Sequence, residues 1–318
     1  MIVRWGLDEL PRLLAELGIE RPFLVAGHRW DNVELGIEPA ARWDEIPSHR
    51  IEAPTDVDGI VAVGAGSAID SAKAPSGARG LPLVSVPTTY SGAEWTPFFG
   101  VRDPDRKMRG GGGGAHLAGI VYEPQLTLDL PPDVSAGTAL NALAHSAEAL
   151  YHPARTPESD RAAVEGAELI AGSLPAVVEA GEQLWPRTTL LKGAARAGEA
   201  LGRSGLCLGH AMAQAIGGRY GLPHGAMNAL CLPPALRFNQ PVAGEEIEEL
   251  GKAMGTDDAP AKVEALARLG GFERLRDFGV PQDELDEVAE AAAVRAGAKA
   301  NPRPASPAEI AELYRSIY

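Results

Sequence analysis

The segment Gly59-Ile60-Val61-Ala62-Val63, followed at once by Gly64-Ala65-Gly66-Ser67, leaves this chain few ways to fold. A short unbroken apolar run of this kind reads as a strand buried on both faces, stopped by Gly64. Two glycines directly after it let the backbone turn tightly. A helix opening near Ser67 then points free N–H groups and the positive end of its dipole at whatever lies there, which suits a pyrophosphate. The turn is not the usual dinucleotide fingerprint, because Ile69 stands where the last glycine of G-x-G-x-x-G falls, and it is not a Walker loop. Taken alone, an ordinary strand-to-helix turn accounts for it equally well.

Around this unit the first part of the chain alternates strand and loop. Leu7 to Leu17 carries leucines at helical spacing, and Phe23-Leu24-Val25-Ala26 is a short apolar strand ended by Gly27. Residues 27–58 show no helical period and read as irregular. Leu81 to Val86 is a strand halted by Pro87, after which Thr88-Thr89-Tyr90-Ser91-Gly92-Ala93-Glu94 places hydroxyls where α/β folds hold ligands. Gly110 to Gly114 are five consecutive glycines, which predict a mobile loop. A further strand covers Ile120-Val121-Tyr122. From about Pro131 the texture becomes rich in Ala, Leu and Glu with helical spacing, interrupted at Pro153, Pro157, Pro186, Pro223, Pro241 and Pro281. The 318 residues therefore divide into an α/β domain at 1–130 and a helical domain at 131–318, with the cleft between them as the default site.

Composition narrows the function classes. Lys plus Arg total 29 against 43 Asp plus Glu, a formal charge of −14, which argues against a phosphate-tracking nucleic-acid surface. Cys207 and Cys231 are too few for a disulfide scaffold and read as small buried side chains in a reducing compartment, the cytoplasm fitting best. No apolar run reaches the roughly 18 residues of a membrane helix.

In the second half, Asn141 and His145 lie four apart and project from one helix face, and His210 and Gln214 repeat that spacing. His224 sits at a Pro-His-Gly turn. Three imidazoles with an amide oxygen would suit a divalent metal such as Fe or Zn, while a buried histidine is more often a satisfied core residue.

Four motifs, Gly64 to Lys73, Pro87 to Glu94, Asn141 to Leu150 and His210 with Pro223-His224-Gly225, occur in the order and at about the separations seen in the iron-containing (group III) alcohol dehydrogenases. The likeness runs from about Gly59 to Asn239. Thr88 to Gly92, Asn141 to His145 and Asn301-Pro302-Arg303-Pro304 most resemble the maleylacetate reductases within that superfamily. The resemblance implies a dinucleotide-binding α/β domain followed by an all-helical domain, a dehydroquinate synthase-like fold, and a homodimer. It implies that Gly64, Gly66 and Ser67 hold the pyrophosphate of NAD(P)H, with Asp70, Thr88, Thr89 and Lys107 along the ribose and nicotinamide. His145, His210 and His224 match the metal-ligating histidines of the alcohol dehydrogenases, Asn141 stands at their Asp ligand, and Gln214 replaces a second histidine. Asn141 is shared with the maleylacetate reductases, whose chemistry needs no metal. Two features depart from those reductases: Pro223 to Pro233 looks more like the alcohol dehydrogenases, and Ala211 replaces a lysine.

Three functions follow as alternatives: an NAD(P)H-dependent reductase of the maleylacetate reductase type acting on an unsaturated or oxo acid, a metal-dependent alcohol or aldehyde dehydrogenase, and a non-catalytic descendant of the fold. The stretch between the strands at Phe23 and Ile60 predicts a shortened first domain lacking one strand and helix. Arg29, just past the first of those strands, is placed to accept the 2′-phosphate of NADPH. Lys107, Arg109, Arg219 and Arg237 are candidate partners for a substrate carboxylate, and each reads equally well as a solvated surface residue.

Overall fold

A computed structural model describes residues 1–103 and 108–318, in two compact units, Met1–Thr127 and Leu128–Tyr318. The first unit holds strands β1 (Ile2–Trp5), β2 (Pro22–Ala26), β3 (Ala41–Trp43), β4 (Gly59–Gly64) and β5 (Pro82–Pro87). These are followed by β6 (Phe99–Arg102), β7 (Met108–Gly112) and β8 (His116–Tyr122). Helix α1 (Leu10–Glu16) precedes β2, and α2 (Gly66–Arg79) joins β4 to β5. Six strands form one sheet in the order β1-β8-β5-β4-β2-β3, with every neighbouring pair parallel.

Strand alternation divides the core between the two faces of that sheet. Leu24, Ala26, Val61, Val63, Val84 and Val86 pack with Leu10, Leu13 and Leu14 of α1 on one side. Phe23, Val25, Ile60, Ala62 and Leu83 pack with Ile69 and Ala72 of α2 on the other. Both faces are covered, so these strands read in the sequence as apolar runs, broken only by the buried Ser85 of β5. From β2 the chain steps outward to β3, then returns past β2 to β4 and proceeds the other way through β5 and β8. The carboxyl ends of β2 and β4 therefore flank the point where strand order reverses, the place where open α/β sheets hold ligands.

Three local expectations are corrected. Residues 27–58 are not wholly irregular: β3 pairs in parallel with β2, so the shortened first domain keeps the strand and replaces its helix with turns. The glycine run does not form a loop throughout, because Gly110, Gly111 and Gly112 belong to β7, antiparallel to β6. The ring of Phe99 lies where a Cβ on Gly112 would come within 2.9 Å, so an aromatic covers the glycine end of β7, which has no side chains of its own. Regular helix α1 begins at Leu10, with a 3-10 turn over Leu7–Glu9 before it.

The second unit is helical: α3 (Pro132–Tyr151), α4 (Pro157–Glu179), α5 (Leu184–Arg203), α6 (Leu208–Tyr220) and α7 (His224–Asn239), then α8 (Gly244–Ala253), α9 (Ala259–Leu269), α10 (Leu285–Ala293), α11 (Ala296–Ala300) and α12 (Pro307–Ser316). Pro157 and Pro223 sit at helix starts, where a missing N–H costs nothing, and Pro186 lies in the first turn of α5. Helix α3 is buried on all sides from Ser135 to Tyr151 apart from Thr138, which makes it the hub of this unit. Among the described residues no helix is long and apolar enough to cross a membrane.

Candidate active site

In the first unit the glycine turn is built as a cradle. Gly64 has φ of 149°, and a Cβ there would meet Ala68 Cβ at 2.8 Å, so no side chain fits where the strand turns into α2. No side chain caps α2: its N-cap is Ala65, and Gly66 and Ser67 open the helix with Ser67 exposed. Thr88 N–H donates to the Gly64 carbonyl at 3.1 Å, which brings the end of β5 against the cradle. Thr88 and Thr89 are both buried, and the Thr89 hydroxyl has no partner within the chain. Open helix N–H groups, a glycine surface and an orphaned hydroxyl at a strand-order reversal together fit the pyrophosphate of a dinucleotide.

Asp70 is turned elsewhere. Lys73 Nζ, 1% exposed, donates to Asp70 Oδ1 at 3.1 Å and to the Phe98 carbonyl at 2.7 Å, and Gly100 N–H donates to Asp70 Oδ2 at 3.3 Å. The carboxyl thus ties α2 to β6, and burial raises it despite Lys73. Lys107 lies outside the described residues. Beneath the Thr88 to Glu94 segment, Trp95 Nε1 donates to Tyr122 Oη and Tyr122 Oη donates to Glu94 Oε1, each at 2.8 Å; burial pushes the Glu94 carboxyl up. At the end of β2, Arg29 is exposed with its guanidinium 5.3 Å over the Trp30 ring. Asp31 folds back to pair with Arg42 and, at 3.2 Å, with His28 Nδ1.

The second unit collects the histidines. Asn141, His145 and Glu148 stand at i, i+4 and i+7 on buried α3, His210 is on the first turn of α6, and His224 opens α7. A close helix contact sets His224 in place: a Cβ on Gly225 would lie 2.4 Å from both the carbonyl carbon and oxygen of Gly137, so α3 and α7 touch backbone to backbone one turn from Asn141. The His145 and His210 rings stack with centroids 4.9 Å apart and planes at 15°, and the His210 and His224 centroids are 6.0 Å apart. His145 and His210 are 4% and 1% exposed, whereas His224 is open to solvent. Gln214 follows His210 by one turn, half-buried.

Two residues that motif reading passed over complete the cluster. Asn228 Nδ2 donates to Asn141 Oδ1 at 2.7 Å and to His224 Nε2 at 3.0 Å, while Asn141 Nδ2 donates to His145 Nε2 at 3.4 Å. Glu148, fully buried, accepts from His210 Nδ1 at 2.8 Å and from two backbone N–H groups. Their signals were in the sequence: Asn228 repeats the i, i+4 spacing after His224, and Glu148 is the one carboxylate in the apolar run Asn141 to Leu150. Burial, and then the neighbouring His210 and His224, hold His145 well below the usual imidazole range, so its ring stays neutral at pH 7. His145 Nδ1 and His210 Nε2 are buried without a partner.

The surface arginines do not wait for a substrate. Arg109 pairs with Asp103, Arg219 with Glu284 and Glu287, and Arg237 with Glu264. Cys207 and Cys231 are free and buried, and burial pushes both thiols up.

Residues 135–318 match the C-terminal part of the Fe-containing alcohol dehydrogenase family, and residues 49–117 match the iron-containing alcohol dehydrogenase family. The chain belongs to the iron-containing alcohol dehydrogenases, a family of oxidoreductases. Its relatives include a maleylacetate reductase of Pseudomonas knackmussii, 32% identical over 306 residues that cover 90% of this chain and 86% of the relative. Maleylacetate reductase 2 of Cupriavidus pinatubonensis is 37% identical over 83% of this chain and 74% of its own. Among solved structures, a putative alcohol dehydrogenase from Ralstonia eutropha superposes with a TM-score of 0.89 at 29% identity, covering 100% of this chain and 95% of that one. A maleylacetate reductase from Agrobacterium tumefaciens gives 0.88 at 27% identity, with the same coverages.

The family name implies a metal, and the donor set here does not fit one. The three imidazoles and one amide carry no negative charge, and Asn141 Oδ1 and His224 Nε2 are both taken up by the Asn228 amide. Among the described residues no group of three or more His, Cys, Asp or Glu side chains could hold an ion. His145, His210 and His224, which the resemblance implies as ligands, thus come together as a neutral donor set that is partly occupied by hydrogen bonds within the chain.

Proposed function

We propose that this protein reduces an unsaturated oxo acid of the maleylacetate class with NAD(P)H, without a metal, with the Gly64 turn binding the nucleotide and His210 supplying the proton. The observation that carries this proposal is His210: a carboxylate holds one ring nitrogen and the other is buried with no partner, the arrangement of a general acid. Gly64, Gly66 and Ser67 cradle the pyrophosphate, and Thr88 and Thr89 border it. When bound, the reduced nicotinamide supplies a hydride. His210, as imidazolium, gives a proton from Nε2 to the substrate and keeps the electron pair on nitrogen, while the buried Glu148 carboxylate compensates the positive charge. His145 serves as a neutral neighbour because burial disfavours its charged form. The chain Asn228, Asn141, His145 keeps these rings in place. We infer a homodimer acting in the cytoplasm: β1 and β3 are sheet edges that need cover, and the buried thiols suit a reducing compartment.

Arg29 supports acceptance of the 2′-phosphate, since it stands beside the strand end where Asp31 is already engaged by Arg42 and His28. Nicotinamide oxidation followed at 340 nm with maleylacetate should show kcat/KM for NADPH at least equal to that for NADH. Arg29→Ala should lower the NADPH value about tenfold with little change for NADH, as expected for loss of one charge-assisted contact. No oxidation of either cofactor by maleylacetate would defeat the functional assignment. A strong preference for NADH, or an unchanged ratio in Arg29→Ala, would defeat only the role of Arg29.

A further inference from the structure

We propose that Glu148 is a positioning residue for proton transfer: it fixes His210 as the Nδ1-protonated tautomer and so makes Nε2 the atom that exchanges a proton with substrate. This role presupposes His210 as the proton source. Glu148 is 0% exposed on α3, and its two oxygens grip His210 at both ends. Oε1 accepts the His210 backbone N–H at 3.1 Å, and Oε2 faces the ring Nδ1 at 2.8 Å. Oε2 also accepts the N–H of Cys207, the N-cap residue of α6, at 2.6 Å. A carboxylate has no proton to give, so the hydrogen between Oε2 and Nδ1 belongs to the imidazole, and Nε2 is left with the lone pair in the neutral ring. The packing keeps this fixed: a Cβ on Gly209 would come within 3.0 Å of Oε1, so even the residue before His210 is pressed onto the carboxylate. In the transfer step the Nε2–H bond of the imidazolium breaks with its electron pair staying on nitrogen, the substrate that has accepted a hydride takes the proton, and His210 is recharged from water.

Capping α6 is the simpler role for Glu148, and the two roles separate at the ring bond, which does nothing for the helix end. In Glu148→Gln an amide oxygen in place of Oε1 still accepts the His210 N–H, while the amide nitrogen in place of Oε2 gives up the Cys207 N–H, donates to Nδ1 and drives the proton to Nε2. The expected result is a fall in kcat of at least about 100-fold with KM for the oxo acid changed less than about threefold, read at a temperature where circular dichroism shows the variant folded, since the Cys207 N–H loses its acceptor. A second readout needs neither substrate nor a variant. Nitrogen-15 NMR of the unliganded wild-type protein at pH 9, where ordinary imidazoles are neutral, should show His210 protonated at Nδ1, and Glu148→Gln should move the proton to Nε2. Wild-type His210 protonated at Nε2, or Glu148→Gln with native kcat, would overturn the proposal even if His210 proves essential. Native turnover in His210→Ala would instead remove the proton-source assignment and leave the tautomer measurement to judge Glu148's hold on the ring. If Glu148→Gln does not fold, the wild-type spectrum decides alone.

Discussion

His210→Ala lowers kcat for oxo-acid reduction by about 10²–10⁴-fold, the range for loss of a positioned general acid, while the dissociation constant for NADPH, read by fluorescence titration, stays within about threefold. The split follows from the proposed nucleotide cradle at Gly64 to Ser67 and the histidine on α6 belonging to different units of the chain. The same substitution removes the ring from the buried Glu148 carboxylate, which keeps its two backbone donors, so some stability is lost as well. Kinetics are therefore to be read at a temperature where circular dichroism shows the variant folded. His145→Ala should cost less in kcat, because His145 is held neutral and acts by packing against His210. Equal losses in the two variants would assign the proton to the pair and not to His210.

Gly225→Ala destabilises the helical unit by about 3 kcal/mol or more and lowers the melting temperature by roughly 5–10 °C. Inserting atoms into a close-packed contact is costly even when flexible side chains can yield. Here the obstruction is backbone, with the new Cβ 2.4 Å from the carbonyl of Gly137 on a helix buried almost throughout. Helices α3 and α7 must separate, and that movement pulls His224 and Asn228 away from Asn141. Turnover should fall along with stability. Gly244→Ala, at a position where nothing lies within 4 Å of the new Cβ, is the matched control and should change neither. A melting temperature within about 2 °C of wild type for Gly225→Ala would mean that the helices have room to adjust.

Burial on both faces is what made the first unit legible. Strands β2, β4 and β5 are central, so their residues are apolar apart from the buried Ser85, and Gly64 and Pro87 mark where β4 and β5 stop. The edge strands β1 and β3 could not be seen the same way. Ile2–Trp5 and Ala41–Trp43 are only part-buried and carry arginines, so no period distinguishes them from loop. β7 was hidden because glycine has no propensity to display; its order comes from pairing with β6 and from the Phe99 ring, both supplied by tertiary structure.

In the helical unit the histidines were legible from their spacing, and what they do was not. Asn141 read as a weakened metal ligand. In the structure its amide joins Asn228 and His145 in a hydrogen-bonded chain, a contact that spacing could not show. Glu148 stood out as the one carboxylate in its run, but its task was not legible, because its partners, Cys207 N–H and His210, lie some 60 positions on and no local pattern links a carboxylate in α3 to the first turn of α6. Asp70 shows the opposite case: its place in a motif suggested the nucleotide, and its side chain turns to Lys73 and Gly100.

Metal-free turnover tests the account most directly. Protein dialysed against chelator, with its iron and zinc content measured on the same sample, should reduce maleylacetate with NADPH at the rate of untreated protein while holding well below one divalent ion per chain. Loss of turnover on chelation, recovered by stoichiometric iron or zinc and abolished together with ion binding in His224→Ala, would contradict it.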